Sequence, residues 1–288
     1  ALGWGIDLAH QKKYPAAAAA AVVMNPQTGE VLAMASVPTY DPRVWVGGMS
    51  DAAYQQLTQE GANDPLLNRA MSGQYPPGST FKVITALAGL QDGIISQLSD
   101  FTCTGVWDVL SQPFKCWGTH GDVDLKKAIV MSCDTYFYNV GYRFYKANSL
   151  GMQNWARQLG LGKETGIDLP GEAAGRIPDP EWKARVGETE VDRMWMPGNS
   201  INFSIGQGDI LTTPLQMASV YSTIANGGRQ VKPHVGLRVE DQVTGKASAS
   251  LQPEDAMQLP VSSDNLRAIQ EGLAGATAPG TTVGDTWV

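Results

Sequence analysis

The sequence predicts an α/β fold of the α+β kind, in which strands and helices occupy separate stretches of the chain, and three observations point there. Ala20 to Asn25 and Glu30 to Ser36 are β-type runs around Pro26-Gln27-Thr28-Gly29, with proline and glycine where a reversal wants them, so they read as a β-hairpin. Two prolines and a glycine (Pro76, Pro77, Gly78) then lead into an apolar run that reads as a buried helix. Helical periodicity resumes from Asp122 through Leu125, Ile129 and Val130, breaks at Ser132-Cys133-Asp134, and continues through Phe137, Val140 and Phe144.

Between the hairpin and the first long helix, residues 37–78 are rich in proline and glycine and read as loop, with one short helix over Asp51 to Gln59. The helix from Ser79 ends at Gly93, a natural C′ residue. At Ser132-Cys133-Asp134 two readings stand: a connection whose side chains face a shared cavity, or a helix junction with Ser132 or Asp134 as N-cap. Residues 160–200 carry many glycines, prolines and charges and read as a functional loop region. Thr213 and Pro214 open a helix that runs to Gly227-Gly228. Gly206 and Gly208 match no phosphate loop and read as close backbone packing. Val231 to Val239 is a candidate strand, Asp241 to Lys246 a turn, and Ser262 to Ala274 a helix.

A chain of 288 residues with 43% hydrophobic and 17% charged residues can bury a sizeable core. The formal charge of -7, without a basic cluster, argues against a nucleic-acid surface. No stretch reaches the roughly 18 apolar residues of a membrane-spanning helix. The three cysteines lack a Cys-x-x-Cys pair and His10, His120 and His234 are scattered, so no metal site is expected, and no cofactor. Cys103 and Cys116 are open to two readings, a disulfide or a pair of buried thiols.

Ser79 falls in the first turn of its helix and Lys82 three residues on, so an amine shares a face with a hydroxyl. The orphan N–H groups and positive dipole end of the helix favour an oxyanion there, which gives the parts of a serine nucleophile. Chance supplies on the order of half a Ser-x-x-Lys pair in such a chain, so the spacing alone favours a capping serine with a solvated lysine over a nucleophile.

The setting is more specific. Ser79-x-x-Lys82 after Tyr-Pro-Pro-Gly, with Ser132-x-Asp134 some fifty residues later, resembles the first two motifs of the penicillin-recognising serine acyltransferases. Met24-Asn25-Pro26-x-x-Gly29-Glu30-Val31-Leu32-Ala33-Met34-Ala35-Ser36, Leu67-Asn68-Arg69-Ala70, Thr165-Gly166-Ile167-Asp168-Leu169-Pro170-Gly171-Glu172, Gly206-Gln207-Gly208 and Thr213-Pro214-Leu215-Gln216 resemble class B penicillin-binding proteins. Ser132-Cys133-Asp134-Thr135-Tyr136-Phe137-Tyr138 is most similar to the elongation-type penicillin-binding protein 2 group.

The resemblance implies the penicillin-binding transpeptidase fold shared with serine β-lactamases: a central antiparallel sheet flanked by helices, plus a helical lobe carrying Ser-x-Asp at the cleft. Ser79 is then the nucleophile toward the D-Ala-D-Ala end of a peptidoglycan stem peptide, the acyl-enzyme is resolved by a neighbouring stem, and β-lactams acylate the same serine. The catalytic set is Ser79, Lys82, Ser132 and Asp134, with Thr80, Cys133, Gly206, Gln207 and Gly208 as substrate-binding residues. Implied partners are a SEDS-family glycosyltransferase and elongation-complex proteins, at the extracytoplasmic face of the bacterial cytoplasmic membrane.

An unperturbed ammonium keeps its proton at neutral pH, so Lys82 as a base needs burial or cationic neighbours, and Asp134 works against this unless it points away or is itself protonated. Ser132 relays the proton to the leaving amine. The family's third motif, Lys-Thr-Gly or Lys-Ser-Gly, is absent, since Thr244-Gly245-Lys246 is reversed and in a turn. The expectation is one transpeptidase domain over residues 1–288 that stops short of that strand and lacks the anchor and pedestal. Without the strand's oxyanion donor, worth about 10² to 10³ in rate, the free chain has little activity. A β-lactam sensor, or a serine β-lactamase or carboxypeptidase, is the alternative; Glu164, Glu172, Asp179 and Glu181 offer carboxylates, but none stands out as a water-activating base.

Overall fold

A computed structural model of the chain describes residues 1–110, 112–250, 256–279 and 281. Helix α1 (Leu2–Gln11) precedes the hairpin of β1 (Ala19–Met24) and β2 (Val31–Val37), which pair antiparallel from Ala19 with Val37 to Met24 with Val31. Gly29 closes the predicted reversal at a φ of +85°. A Cβ there would stand 2.2 Å from the Lys232 carbonyl oxygen, so only glycine lets the turn dock on that segment. Helix α2 (Asp51–Thr58) is the expected short helix, capped by the Ser50 hydroxyl.

Past the prolines the chain makes a 3₁₀ turn over Gly78–Phe81, and α3 (Lys82–Gln91) begins one turn later than predicted. Every α3 residue from Lys82 to Leu90 is buried, which explains why the run is apolar almost all round.

Strands β3 (Phe101–Cys103), β4 (Val106–Trp107), β5 (Phe114–Lys115) and β6 (Gly121–Val123) form the antiparallel pairs β3–β6 and β4–β5. Asp122 therefore lies in a strand, and α4 (Leu125–Val130) starts at Asp124, whose carboxylate accepts from Lys127 N. The break at Ser132-Cys133-Asp134 is present, and α5 (Asp134–Lys146) follows it with Cys133, neither Ser132 nor Asp134, in the N-cap position.

Helices α6 (Gly151–Gln158), α7 (Pro180–Val186) and α8 (Pro197–Ser204) have no counterpart in the sequence reading. Pro180 and Pro197 look like breakers in the sequence, yet each occupies the first turn of a helix, where its missing N–H is no loss. Helix α9 (Pro214–Ala225) opens with Thr213 and Gln216 in a reciprocal capping box. The predicted strand Val231 to Val239 is split: β7 (Arg229–Gln230) and β8 (Arg238–Glu240) flank Pro233, which has no N–H for a ladder. Strand β8 returns through the predicted turn to β9 (Ala247–Ser250), β7 pairs with β10 (Met257–Gln258), and α10 (Ser263–Gly275) starts at the expected Ser262 cap.

The core gathers α3, α4, α5, α6, α8, α9 and α10 around Phe81, Tyr136, Phe137, Phe144 and Phe203, all essentially inaccessible. Gly141 lets α5 meet α8 closely, since a Cβ there would lie 2.6 Å from the Ser200 carbonyl. A smaller cluster of Met71, Ile167 and Leu215 anchors the hairpin through Val22, Val31 and Met34.

Candidate active site

Ser79 and Lys82 share one turn but not one environment. Ser79 is exposed in the 3₁₀ turn, whereas the Lys82 side chain is 4% exposed at the head of α3. The amine finds three acceptors: Ser132 O at 2.7 Å, Ser132 Oγ at 3.0 Å and Asp134 Oδ1 at 2.6 Å. An ammonium has three N–H bonds, so this shell matches it fully and satisfies an otherwise costly buried charge. Lys82 Nζ also stands 5.7 Å from the Phe137 ring centroid. Asp134 thus points at the lysine, the arrangement that the sequence left open.

The break between α4 and α5 brings these acceptors together. Ser132 takes a φ of +48°, rare for a non-glycine residue and typical of backbone held at a functional site. Its N–H donates to Ile129 O and the next N–H, of Cys133, donates to Ala128 O, so the turn closes on α4. The Ser132 carbonyl is left facing Lys82. It also accepts from Trp117 Nε1 at 3.2 Å, and the same N–H reaches Met131 O at 3.0 Å. Nothing in the pattern around Trp117 marked it beforehand, because it sits in an aperiodic loop.

The turn carrying Ser79 is fastened to the segment 206–212. Gly78 N donates to Gly206 O at 2.9 Å, and Tyr75 and Thr212 exchange a pair of backbone hydrogen bonds, each 2.9 Å. Gly206 has a φ of +70°, and a Cβ there would stand 2.3 Å from Gly78 O. The close-packing reading of Gly206 therefore describes the structure. Gly208 is left-handed too but has nothing nearer than Asn202 Cβ at 3.6 Å, and Gln207 is exposed beside it. The Thr80 hydroxyl is spent on Pro77 O at 2.6 Å.

Cys133 is buried, and its thiol lies away from solvent with Cys103, Cys116 and His120. One donor atom from each of these four residues lies within 4.8 Å of all the others, and the cysteines are free thiols. Tetrahedral thiolate sites with Zn–S bonds of about 2.3 Å place sulfurs about 3.8 Å apart, so a Cys₃His set of this size could hold a soft divalent ion. The fold brings these residues together although the sequence scatters them: β3, the loop after β5 and the α4–α5 break converge. His120 Nδ1 is 3.4 Å from Cys103 Sγ and 3.6 Å from Cys116 Sγ. Burial pushes the Cys103 thiol up, but the Thr135 hydroxyl, the Gly105 backbone and His120 outweigh it and bring it down to about 6. Burial pushes the Cys133 thiol up.

With this geometry in place, the likeness to known proteins is informative. A peptidoglycan D,D-transpeptidase MrdA of Acinetobacter baumannii is 40% identical over 241 residues, 81% of this chain and 34% of that protein. The MrdA of Escherichia coli K12 is 33% identical over 265 residues, 89% of this chain and 40% of that protein. The chain thus spans about a third to two-fifths of the length of these curated relatives. Among solved structures, Pseudomonas aeruginosa PBP2 in complex with WCK 5153 superposes with a TM-score of 0.78 at 32% identity, covering 93% of this chain and 60% of that one. Helicobacter pylori PBP2, solved in complex with MreC, gives 0.76 at 29% identity, covering 91% and 46%. The penicillin binding protein transpeptidase domain family matches residues 19–287, and the chain belongs to that family, with the penicillin-binding transpeptidase fold that the sequence motifs predicted.

Proposed function

We propose that this chain is the catalytic core of a peptidoglycan D,D-transpeptidase of the elongation type. The observation that carries the reading is the pairing of an exposed Ser79 with a buried Lys82 whose Nζ lies 3.0 Å from Ser132 Oγ. Ser79 Oγ attacks the carbonyl between the two terminal D-alanines of a stem peptide, the terminal D-alanine leaves as an amine, and an amine of a second stem takes the acyl group.

Lys82 acts in its neutral form: Nζ takes the Ser79 hydroxyl proton as the C–O bond forms, and Asp134 Oδ1 balances the ammonium that results. Lys82 then passes that proton through Ser132 Oγ to the departing amine as the C–N bond breaks. β-Lactams enter at the first step, and their bulk keeps the acyl group on Ser79. Gly206, Gln207 and Gly208 line the substrate side with Thr80. The names of the relatives support this chemistry, and the Helicobacter complex with MreC supports partners in an elongation complex; the proposal adds a SEDS-family glycosyltransferase to them. The site works on the extracytoplasmic face of the cytoplasmic membrane; among the described residues no helix is long and apolar enough to cross a membrane.

The test is labelling of the full-length protein with a fluorescent penicillin. Stable labelling that disappears in Ser79→Ala is expected, together with crosslinking of lipid-linked precursors. Fast release of the label would favour a β-lactamase, stable labelling without crosslinking a sensor, and no labelling would overturn the reading.

A further inference from the structure

We propose that Trp117 is a positioning residue for the Lys82–Ser132 pair, acting through the carbonyl of Ser132; this rests on the reading of Ser79 and Lys82 as catalytic. A peptide carbonyl offers two lone pairs. At Ser132 one takes Lys82 Nζ at 2.7 Å and the other Trp117 Nε1 at 3.2 Å, so a single oxygen ties the catalytic amine to an indole from another loop.

Three features make this more than a chance contact. Ser132 is held at a φ of +48°, and such a peptide persists only where its surroundings over-determine it. The Ser132 carbonyl belongs to neither helix, because α4 ends at Val130 and α5 starts at Asp134; the N–H of its peptide, from Cys133, holds Ala128 O, and the carbonyl end itself is met by two side chains, Lys82 and Trp117. Trp117 is 61% exposed and gains little from burial; its N–H is shared between Met131 O at 3.0 Å and Ser132 O, and its ring meets His120 edge-on at 4.9 Å. An indole left in water with its one donor aimed at two consecutive carbonyls acts as a clamp on that peptide.

Without the indole N–H, the Ser132 carbonyl loses one of its two donors, and the peptide that carries it is held only by Cys133 N–H on Ala128 O and by Lys82. Ser132 Oγ then leaves its 3.0 Å contact with Nζ, and the proton path loses its middle atom. Substrate binding does not depend on that contact. The predicted signature is a fall in the acylation rate constant with an unchanged dissociation constant for the preceding complex.

The experiment compares Trp117→Phe, which keeps a ring but no donor, with Trp117→His, which keeps a donor, in the full-length protein reacting with a fluorescent penicillin under stopped flow. Loss of one hydrogen bond at this position is expected to slow acylation about tenfold in Trp117→Phe, with the dissociation constant within about twofold of the parent and partial recovery in Trp117→His. A parental rate constant in Trp117→Phe, a loss that falls in the dissociation constant, or equal losses in both variants would overturn the proposal. Should Trp117→Phe melt early, Trp117→Ala replaces it and the same comparison with Trp117→His decides. A parent protein that takes no label would sink the reading of Ser79 itself, which separates the two failures.

Discussion

Gly206 offers the sharpest check on how the nucleophile is held. A Cβ at Gly206 would stand 2.3 Å from Gly78 O and 2.7 Å from Phe81 Cβ, where real contacts essentially never fall below 3.0 Å, so the Gly78 carbonyl must retreat by at least about 0.7 Å. That carbonyl directly precedes Ser79, and the peptide before it is also fastened, by Gly78 N–H to Gly206 O at 2.9 Å. Misplacement on the order of 1 Å can cost about 10² in rate, so Gly206→Ala should acylate about 30- to 100-fold more slowly. Gly208→Ala is the matched control, because it carries the same left-handed backbone, φ +82° against +70°, with only an ordinary contact at 3.6 Å. Both variants should lose about 1 kcal/mol from backbone strain. The assay is the acylation rate constant with a fluorescent penicillin, read beside a thermal midpoint for each protein. Equal acylation rates in the two variants would refute the idea that Gly206 sets the Ser79 turn.

The remaining predictions concern charge, pH and metal. Lys82 and Asp134 should couple strongly: either Lys82→Met or Asp134→Asn alone should cost about 3 kcal/mol in urea unfolding and the double variant little more, a coupling of about 2 kcal/mol, and a value below about 0.5 would mean that the 2.6 Å pair does not act as a buried ion pair. Burial works to raise the Asp168 carboxyl, but the N–H groups of Val235 and Gly236, at 2.8 and 2.7 Å, outweigh it and hold it below its usual value. Its contribution is therefore present above the unfolded carboxyl's pKa and lost as pH falls through the lower folded one; solvent screens the exposed carboxylate, so Asp168→Asn should lose only a few tenths of a kcal/mol at pH 7 and the difference should fade toward pH 3, and a constant gap would contradict it. If the Cys103, Cys116, His120 and Cys133 cluster takes Zn²⁺, free Zn²⁺ held at a hundredfold excess over Kd should raise the thermal midpoint, by about 2.7 kcal/mol of stability, and Cys116→Ser should abolish the rise. Identical melting with Zn²⁺ and with a chelator would show four packed side chains and no metal site.

Much of the fold was legible because the signals were local. The hairpin, the Thr213 and Ser262 caps and the buried α3 each depend on a few adjacent residues whose chemistry allows one conformation. The errors came where one residue type has two uses. Pro180 and Pro197 were read as breakers although proline also starts helices, and Pro233 lay unremarked inside an apparent strand. The site was legible only in part. Ser79 and Lys82 stand out by their Tyr-Pro-Pro-Gly setting and the motifs that accompany them, but Asp134 could be placed beside Lys82, Trp117 beside Ser132, and Cys133 beside Cys103 only by the fold. Residues brought together from β3, a loop and a helix break leave no period in the sequence to read.

The contrast between an exposed serine and a buried lysine one turn apart is the property that the local sequence was shaped to produce. On the 3₁₀ turn over Gly78–Phe81, side chains three residues apart fall on one face, so Ser79 and Lys82 are aligned one above the other. Ser79 stands at the exposed end, where a substrate can reach it, while Lys82 enters the core as the first residue of α3. A lysine there must have its charge answered, and the α4–α5 break answers it with two oxygens of Ser132 and one of Asp134. The strained Ser132 and the long apolar α3 are therefore parts of one arrangement. The apolar helix holds the amine out of water, and the broken one supplies the acceptors through which its proton can move.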